Sequence, residues 1–193
     1  AFSITSLNDN AVLVDGKLYQ KNEVVKTILT GIDGIASTAA DTLPYGKYRI
    51  DESKSPTGYL KDGAKPIEFE IKENGKIVDL TGEDTSIYNQ IKRGDIEGVK
   101  IGDGTHKRLA DVPFRITSKT TEESHIIVTD KNGQFSTASD WVSHKQNTNK
   151  GTSSEDGIWF GTSEPDDSKG ALLYDTYMVE ELRCERLQAH SCF

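Results

Sequence analysis

The sequence has few cysteines and no long apolar stretch. Its 193 residues include only two cysteines, Cys184 and Cys192, both near the C-terminal end. Two cysteines exclude a framework of several disulfides and a zinc site with several cysteine ligands, while a single disulfide between them stays open. No segment approaches the roughly 20 apolar residues that a membrane-spanning helix needs. We therefore expect no membrane insertion.

Basic residues are also few relative to acidic ones. The chain has 23 Lys and Arg against 31 Asp and Glu, which gives a formal net charge of -8. Nucleic acids and anionic membranes attract basic surfaces, so we expect neither as a partner. The four histidines lack the spacing of a metal site, and no Ser/His/Asp or paired-carboxylate pattern of a hydrolase is present. We predict no metal, no cofactor and no enzymatic activity.

One sequence unit occurs twice in the chain. Three matched blocks follow one another in the same order in both copies: residues 2–6 recur as 114–118, 33–38 as 132–137, and 45–52 as 174–181. The copies are incomplete at different ends. The second has a leading segment, residues 96–113, that the first lacks, and the first continues through residue 89 beyond its last matched block.

The local pattern is that of short β-strands. Residues 11–14 and 17–19 flank an Asp-Gly pair, which is typical of a tight hairpin turn. Residues 67–72 and 76–80 predict a second hairpin, and residues 85–92 predict the final strand of the first copy. No segment of ten or more residues keeps a helical period. The sequence therefore predicts an all-β protein.

The repeat also predicts the domain organisation. We expect two tandem β-sandwich modules, residues 1–93 and 94–193. The first lacks an opening strand and the second lacks a final strand. The second carries a long insertion, residues 139–170, which is rich in polar residues and contains Trp141 and Trp159. These tryptophans and their apolar neighbours indicate that the insertion is partly packed.

Two glutamates lie on faces that are otherwise apolar. Because side chains alternate along a strand, Glu52 shares a face with Tyr48 and Ile50. Glu181 repeats this arrangement in the second copy. A carboxyl directed into a β-sandwich core is costly unless another polar group satisfies it. We predict that both carboxyls point inward.

Asn89 and Lys100 are two further residues whose side chains could react with each other. Asn89 lies between two isoleucines on the final strand of the first copy, and Lys100 lies on the opening strand of the second, where alternation leaves its direction ambiguous. Burial favours a neutral, nucleophilic amine and a protonated carboxyl that can donate to an amide and shuttle protons. Lysine and asparagine held together could condense with loss of ammonia. The alternative is that Glu52 and Asn89 are strand-end residues that reach solvent.

Four segments resemble a known family of surface-protein modules. Residues 43–52 (LPYGKYRIDE) and 55–59 (SPTGY) resemble the glutamate-bearing strand and the Pro-x-Gly-Tyr turn of Cna B-type domains, which are SpaA-like and prealbumin-like. Residues 87–90 (IYNQ) are similar to the family's last strand, and residues 94–100 (GDIEGVK) to its first. The resemblance implies prealbumin-like, Ig-like β-sandwiches that serve as stalk or pilin modules of Gram-positive bacteria, outside the cell and attached to its wall.

The resemblance also implies roles for individual residues. Glu52 and Glu181 would assist, and Asn89 and Lys100 would form, Lys–Asn isopeptide bonds. Since neither copy holds both a matching lysine and a matching asparagine, we predict that no such bond forms within either module. The incomplete sheets could accept a strand from another chain. The alternative is that the chain is a fragment and its open edges are artefacts.

A second function remains open from the sequence. Neighbouring modules of the same surface protein are the partners expected of a stalk. An adhesin would instead bind a host protein or glycan, and Trp141 and Trp159 in the insertion would supply its aromatic contacts. Exposed rings favour the adhesin, and buried rings favour the stalk.

Overall fold

The computed structural model describes residues 1–61 and 63–182, in two compact units, Ala1–Gln90 and Ile91–Phe193. The predicted all-β class is confirmed, because the described residues form strands and two short 3-10 helices, Glu83–Thr85 and His144–Gln146. The division falls three residues before the boundary expected from the sequence. Cys184 and Cys192 lie outside the described residues.

The strands of the first unit are β1 (Phe2–Ser6), β2 (Val12–Val14), β3 (Lys17–Tyr19), β4 (Val24–Ile28), β5 (Gly46–Glu52), β6 (Tyr59–Leu60) and β7 (Ile67–Ile71), and β8 (Gln90–Ile91) lies at its end. Four of them form one antiparallel sheet in the order β4-β1-β5-β7. In addition, β2 and β3 form a hairpin, and β6 and β8 form a short ladder.

The strands of the second unit are β9 (Arg93–Gly94), β10 (Glu97–Val99), β11 (Pro113–Ser118), β12 (Ser124–Val128), β13 (Gln134–Ser136), β14 (Leu172–Leu173) and β15 (Tyr177–Glu181). They form a three-stranded sheet in the order β12-β11-β15 and two separate ladders, β10 with β13 and β9 with β14. The pairing of β9 with β14 explains why Arg93 belongs to this unit.

The central strand pair of both units has the same register, which shows that the sequence repeat is also a structural repeat. In the first unit Phe2 lies opposite Glu52, and in the second Phe114 lies opposite Glu181. The remaining pairs also correspond along the strands: Ile4 with Ile50 and Ser6 with Tyr48, Ile116 with Val179 and Ser118 with Tyr177. The register therefore fixes equivalent positions for the two acids.

A tyrosine anchors the start of the acid-bearing strand in each unit. The Tyr48 hydroxyl donates to the carbonyl of Pro44, and the Tyr177 hydroxyl donates to the carbonyl of Leu173, each over 2.9 Å. Burial raises the pKa of Tyr177 to about 12, so the phenol stays protonated and able to donate. Each hydrogen bond joins residues four positions apart and fixes the segment that leads into the strand.

Two strand predictions for the first unit need correction. The hairpin around Asp15-Gly16 forms with both turn residues at positive φ, as predicted. Residues 76–80, however, form no strand, and the predicted final strand shortens to Gln90–Ile91. Ile77 is 87% exposed and Val78 is 38% exposed, so a strand at these residues would bury little apolar surface.

The third repeated block forms a strand in only one unit. Residues 134–136 form β13 because β10 pairs with them. The equivalent residues 35–37 in the first unit are irregular, although the turn before them has matching hydrogen bonds. The backbone nitrogen of Gly31 donates to the carbonyl of Ile35 over 2.9 Å, as that of Asp130 donates to Gln134 over 2.8 Å. The partner strand therefore decides whether this block becomes regular.

Each unit buries its own apolar cluster. The cluster of the first unit lies between its main sheet and its hairpin and contains Ile4, Val12, Val14, Val25 and Tyr48. In the second unit the insertion supplies part of the core, which confirms that it is packed. The buried residues of that core are Ile116, Ile127, Phe135, Ile158, Phe160, Ala171 and Leu172.

The first unit ties its central strands together with an asparagine. Asn8 follows β1, and its Oδ1 accepts from the backbone nitrogen of Lys47 over 2.9 Å. Its Nδ2 donates to the Lys47 carbonyl over 3.1 Å and to the hydroxyl of Ser6 over 3.2 Å. A side chain at Gly46 would collide with Asn8, so glycine is required there.

In the second unit the corresponding cross-strand contact is made by a residue of the opposite strand. Asp175 occupies the position that matches Gly46, and its carboxylate accepts from the hydroxyls of Ser118 and Thr120. These hydrogen bonds lower the pKa of Asp175 to about 2 from its ordinary value of 3.8. The central strand pair is therefore held at the same end in both units by different residues.

We predict that Ile4→Ala lowers the free energy of unfolding of the first unit by about 2 to 5 kcal/mol, because it removes a buried side chain and leaves a cavity. Ile32→Ala in the same unit is the matched control. Ile32 is fully exposed, so its change stays within about 0.5 kcal/mol. Urea denaturation followed by circular dichroism measures both. Equal effects from the two substitutions would contradict the placement of this core.

Asp175→Asn should destabilise the second unit in a pH-dependent way. The folded-state pKa of Asp175 lies below its ordinary value, so its stabilising contribution is present above about pH 4 and is lost as pH falls toward 2. The stability difference between wild type and Asp175→Asn should therefore shrink over this range in urea titrations. Asp103→Asn, which changes an exposed carboxyl in the same unit, should show no such trend. A difference that stays constant between pH 7 and pH 2 would exclude a role for the charge.

Candidate functional site

Glu52 is a buried carboxyl at the end of β5. Strand alternation places it on the face of Tyr48 and Ile50, and it is 4% exposed. Its Oε1 accepts a hydrogen bond from Nδ2 of Asn89 over 2.8 Å. Two residues separated by 37 positions in the sequence thus meet inside the first unit.

In the segment that carries Asn89, side chains alternate between the two faces as they do in a strand, although most of the segment pairs with no other strand among the described residues. Residues 85, 87, 89 and 91 are partly buried, and those between them are exposed. This alternation matches the face predicted from the sequence, and it turns the Asn89 amide toward Glu52.

Two buried oxygens of this pair have no hydrogen-bond donor among the described residues. They are Oε2 of Glu52 and Oδ1 of Asn89. Buried polar atoms are nearly always paired, because leaving one unsatisfied costs about 1 to 3 kcal/mol. No lysine or arginine of the described chain forms an ion pair with Glu52. The pair can therefore receive a further hydrogen-bond donor, and a cationic one suits the carboxylate.

The second unit contains an acid and a lysine in contact. Nζ of Lys100 lies 2.6 Å from Oε2 of Glu181. The hydrogen bonds of β10 also settle the direction of Lys100, which lies on the same face as Gly98 and the partly buried Ile96. The position of this lysine opposite the acid is a product of the fold, since 81 residues separate the two in the sequence.

The expected burial of Glu181 is wrong. Its side chain is 46% exposed, and Val179 on the same face is 43% exposed. In the first unit the segment carrying Asn89 lies against the acid, whereas the side chain of Glu181 has Lys100 as its one hydrogen-bond partner among the described residues. The second acid therefore reaches water, and its pair with Lys100 is a surface ion pair of at most about 1 kcal/mol.

Each unit therefore brings together two of the three predicted groups. The first joins acid and amide, Glu52 with Asn89, and the second joins lysine and acid, Lys100 with Glu181. An amine attack on the amide carbon needs all three groups at one place.

A family comparison bears on the first unit. The family model of the SpaA prealbumin-like fold domain matches residues 1–86. The first unit is therefore similar to a SpaA-type prealbumin-like domain over this range. The match ends shortly before Asn89, so it includes Glu52 but not Asn89.

The curated proteins contain no match to the chain. Among solved structures, a streptococcal ancillary pilin is similar at 17% identity and a TM-score of 0.33, over 100% of this chain and 51% of the pilin chain. The chain thus spans about half the length of that pilin.

The two tryptophans of the insertion differ in exposure. Trp159 is 3% exposed, its ring lies under the Arg93 guanidinium at 3.8 Å, and its Nε1 donates to the carbonyl of Ser163 over 2.7 Å. It is therefore no surface platform, contrary to its assignment as a ligand contact. Trp141 is 38% exposed and is the one tryptophan with an accessible ring.

Sequence reasoning missed Arg93. Its guanidinium donates to the carbonyls of Phe160 and Ala171 over 2.9 and 3.1 Å, besides covering Trp159. Burial lowers its pKa. A single arginine in a short polar connection carries no signal of this role, since its partners lie about 70 residues away.

No group of three or more His, Cys, Asp or Glu residues in the described ranges is placed to hold a metal ion. Within the same ranges, no helix has the length and apolar character to cross a membrane.

Acrylamide quenching should distinguish the two rings. In Trp141→Phe the remaining Trp159 fluorescence should resist quenching, because the ring is enclosed by protein. In Trp159→Phe the remaining Trp141 should be quenched several times more efficiently. Comparable quenching in both variants, with circular dichroism unchanged, would show that Trp159 is accessible to solvent.

Proposed function

We propose that the chain is a structural stalk segment of a Gram-positive pilus or other surface protein, outside the cell and associated with its wall. The SpaA-type first unit and the all-β repeat support this proposal. Neighbouring modules of the same surface protein are its partners, and its work is mechanical. Any chemistry is a single self-modification without turnover.

The buried pair Glu52 and Asn89 carries the chemical part of the proposal. It is the acceptor half of a Lys–Asn isopeptide site, and Lys100 with Glu181 is the donor half of a second site. A carboxyl against an amide nitrogen at 2.8 Å is placed to hand a proton to the nitrogen as it leaves.

The reaction balances without a cofactor. A neutral lysine amine attacks the side-chain carbonyl carbon of Asn89, a C–N bond forms, and the bond from that carbon to Nδ2 breaks. The proton lost by the amine passes through the Glu52 carboxyl to the leaving nitrogen, which departs as ammonia. Because the SpaA-type unit contains no lysine at this carboxyl among its described residues, the chain alone should keep its full mass.

The burial of Trp159 disfavours the adhesin alternative in the form first considered. A glycan or host-protein site built on both rings would need both faces exposed, and Trp159 is covered by Arg93. The insertion serves instead as core for the second unit.

An added strand tests the proposed chemistry within one chain. Residues 94–112, duplicated directly ahead of Ala1, would supply the first unit with the strand, spacing and lysine that precede Pro113 in the second. We predict that this extended chain loses one ammonia in intact mass spectrometry and yields a cross-linked peptide containing Asn89. The unextended chain should lose none.

Three substitutions in the extended chain serve as controls. Asn89→Ala and Arg in place of the duplicated lysine should both abolish the loss of ammonia, because each removes a reacting group. Glu52→Gln should slow it by about 100-fold or more, as expected for removal of a general acid and base. An extended chain that folds, by circular dichroism, yet keeps its full mass would overturn the isopeptide role.

A further inference from the structure

The chain contains two Asn-Gly dipeptides, Asn74-Gly75 and Asn132-Gly133. An asparagine followed by glycine is prone to lose its side-chain amide, because glycine has no side chain to shield the backbone nitrogen that attacks it. Both glycines have a φ of 67°, so they share one left-handed conformation. The two sites differ in what surrounds them.

The first dipeptide lies in an open turn beyond the end of β7. Residues 72–79 are all exposed, and a Cβ on Gly75 would meet no atom within 4 Å. Among the described residues, the backbone nitrogen of Gly75 donates no hydrogen bond to another backbone group. Lys76 and Glu73 form an ion pair across the turn at 3.1 Å, and an exposed pair of this kind restrains the backbone only weakly. The peptide that joins Asn74 to Gly75 can therefore rotate.

The second dipeptide is held on both sides. The backbone nitrogen of Gly133 donates to the carbonyl of Asp130 over 2.8 Å, and its carbonyl accepts from the backbone nitrogen of Lys100 over 2.7 Å. The carboxylate of Asp130 also accepts from the backbone nitrogen of Asn132 over 2.8 Å. Gly133 is buried, and a Cβ there would lie 2.8 Å from the backbone nitrogen of Leu109. Rotation of this peptide would break these hydrogen bonds, so a reaction here needs local unfolding first.

We propose that Asn74 is a site of spontaneous modification, at which the chain and water convert the asparagine to aspartate and isoaspartate. The backbone nitrogen of Gly75 loses its proton to hydroxide and attacks the side-chain carbonyl carbon of Asn74. A C–N bond forms, the bond from that carbon to Nδ2 breaks, and the amide nitrogen takes a proton from water and leaves as ammonia. A second water molecule then opens the cyclic imide at either carbonyl and leaves a carboxylate.

The modification changes the charge of an exposed turn. The new carboxylate lies in the same short segment as Glu73, Lys72 and Lys76. Because residues 72–79 are exposed, the first unit should keep its fold when the turn is modified. No step of this reaction reverses the hydrolysis, so the modified fraction increases with the age of the chain.

This inference is independent of the proposed isopeptide role of Glu52 and Asn89. Both reactions release ammonia, so the intact mass alone does not separate a cyclic imide at Asn74 from a Lys–Asn cross-link. Peptide mapping does, because the peptide that contains Asn74 stays linear and finally carries water in exchange for ammonia.

The test follows both dipeptides in the full chain during incubation in mildly alkaline buffer, with peptide mapping by mass spectrometry at successive times. In the folded chain Asn74 should react at least about tenfold faster than Asn132, because only the second site needs local opening. In urea, where both turns are lost, the two rates should agree within about twofold. The two dipeptides therefore serve as matched sites within one molecule.

Two variants check the assignment. Asn74→Gln should abolish the change in its peptide and leave Asn132 unaffected, because the longer side chain closes a six-membered ring much more slowly. Asp130→Ala removes a carboxylate that holds the second turn, so it should accelerate the reaction of Asn132 several-fold and leave Asn74 unchanged.

Three results would overturn the proposal. One is an equal rate at Asn74 and Asn132 in the folded chain. Another is the same ratio of rates in urea as in buffer, which would assign the difference to the flanking sequence. The third is an Asn74 that stays unmodified in the folded chain after the denatured chain has reacted completely. The comparison in urea needs no variant, so it remains decisive if Asp130→Ala fails to fold.

Discussion

The antiparallel pairing of β1 with β5 and of β11 with β15 is the constraint on which both units depend. In each pair a buried isoleucine lies at the centre, a tyrosine anchors one end, and an acid lies opposite phenylalanine at the other. Register specifies these positions because a slip of one residue would turn every inward side chain outward. The acids Glu52 and Glu181 are therefore equivalent by backbone geometry.

Equivalent backbone positions nevertheless give the acids different environments. Glu52 is buried with the segment that carries Asn89 against it, whereas Glu181 is partly exposed on a strand that pairs on one side among the described residues. Burial and pairing are set by what packs around a position. This explains how one repeated motif produces a buried acid–amide pair in one unit and a surface lysine–acid pair in the other.

Much of the fold and part of the site could be predicted from the sequence. The repeat, the hairpin at Asp15-Gly16 and the inward direction of Glu52 follow from local pattern, which depends on alternation and turn chemistry alone. Residues 76–80 and Glu181 could not be predicted correctly, because their patterns are those of buried strands and only the surrounding chain decides that they are largely exposed. Arg93 gave no local signal, since its contacts are distant in sequence.

The sequence by itself determined the all-β class, the two copies of one unit and the faces of their strands, because a period of two residues and tight-turn residues are local properties. Only the tertiary structure decided which polar groups meet: Glu52 with Asn89, Lys100 with Glu181, and Arg93 with Trp159. It also decided that residues 134–136 form a strand while their copies, residues 35–37, do not. The reason is that a strand edge is completed by hydrogen bonds from a partner distant in sequence.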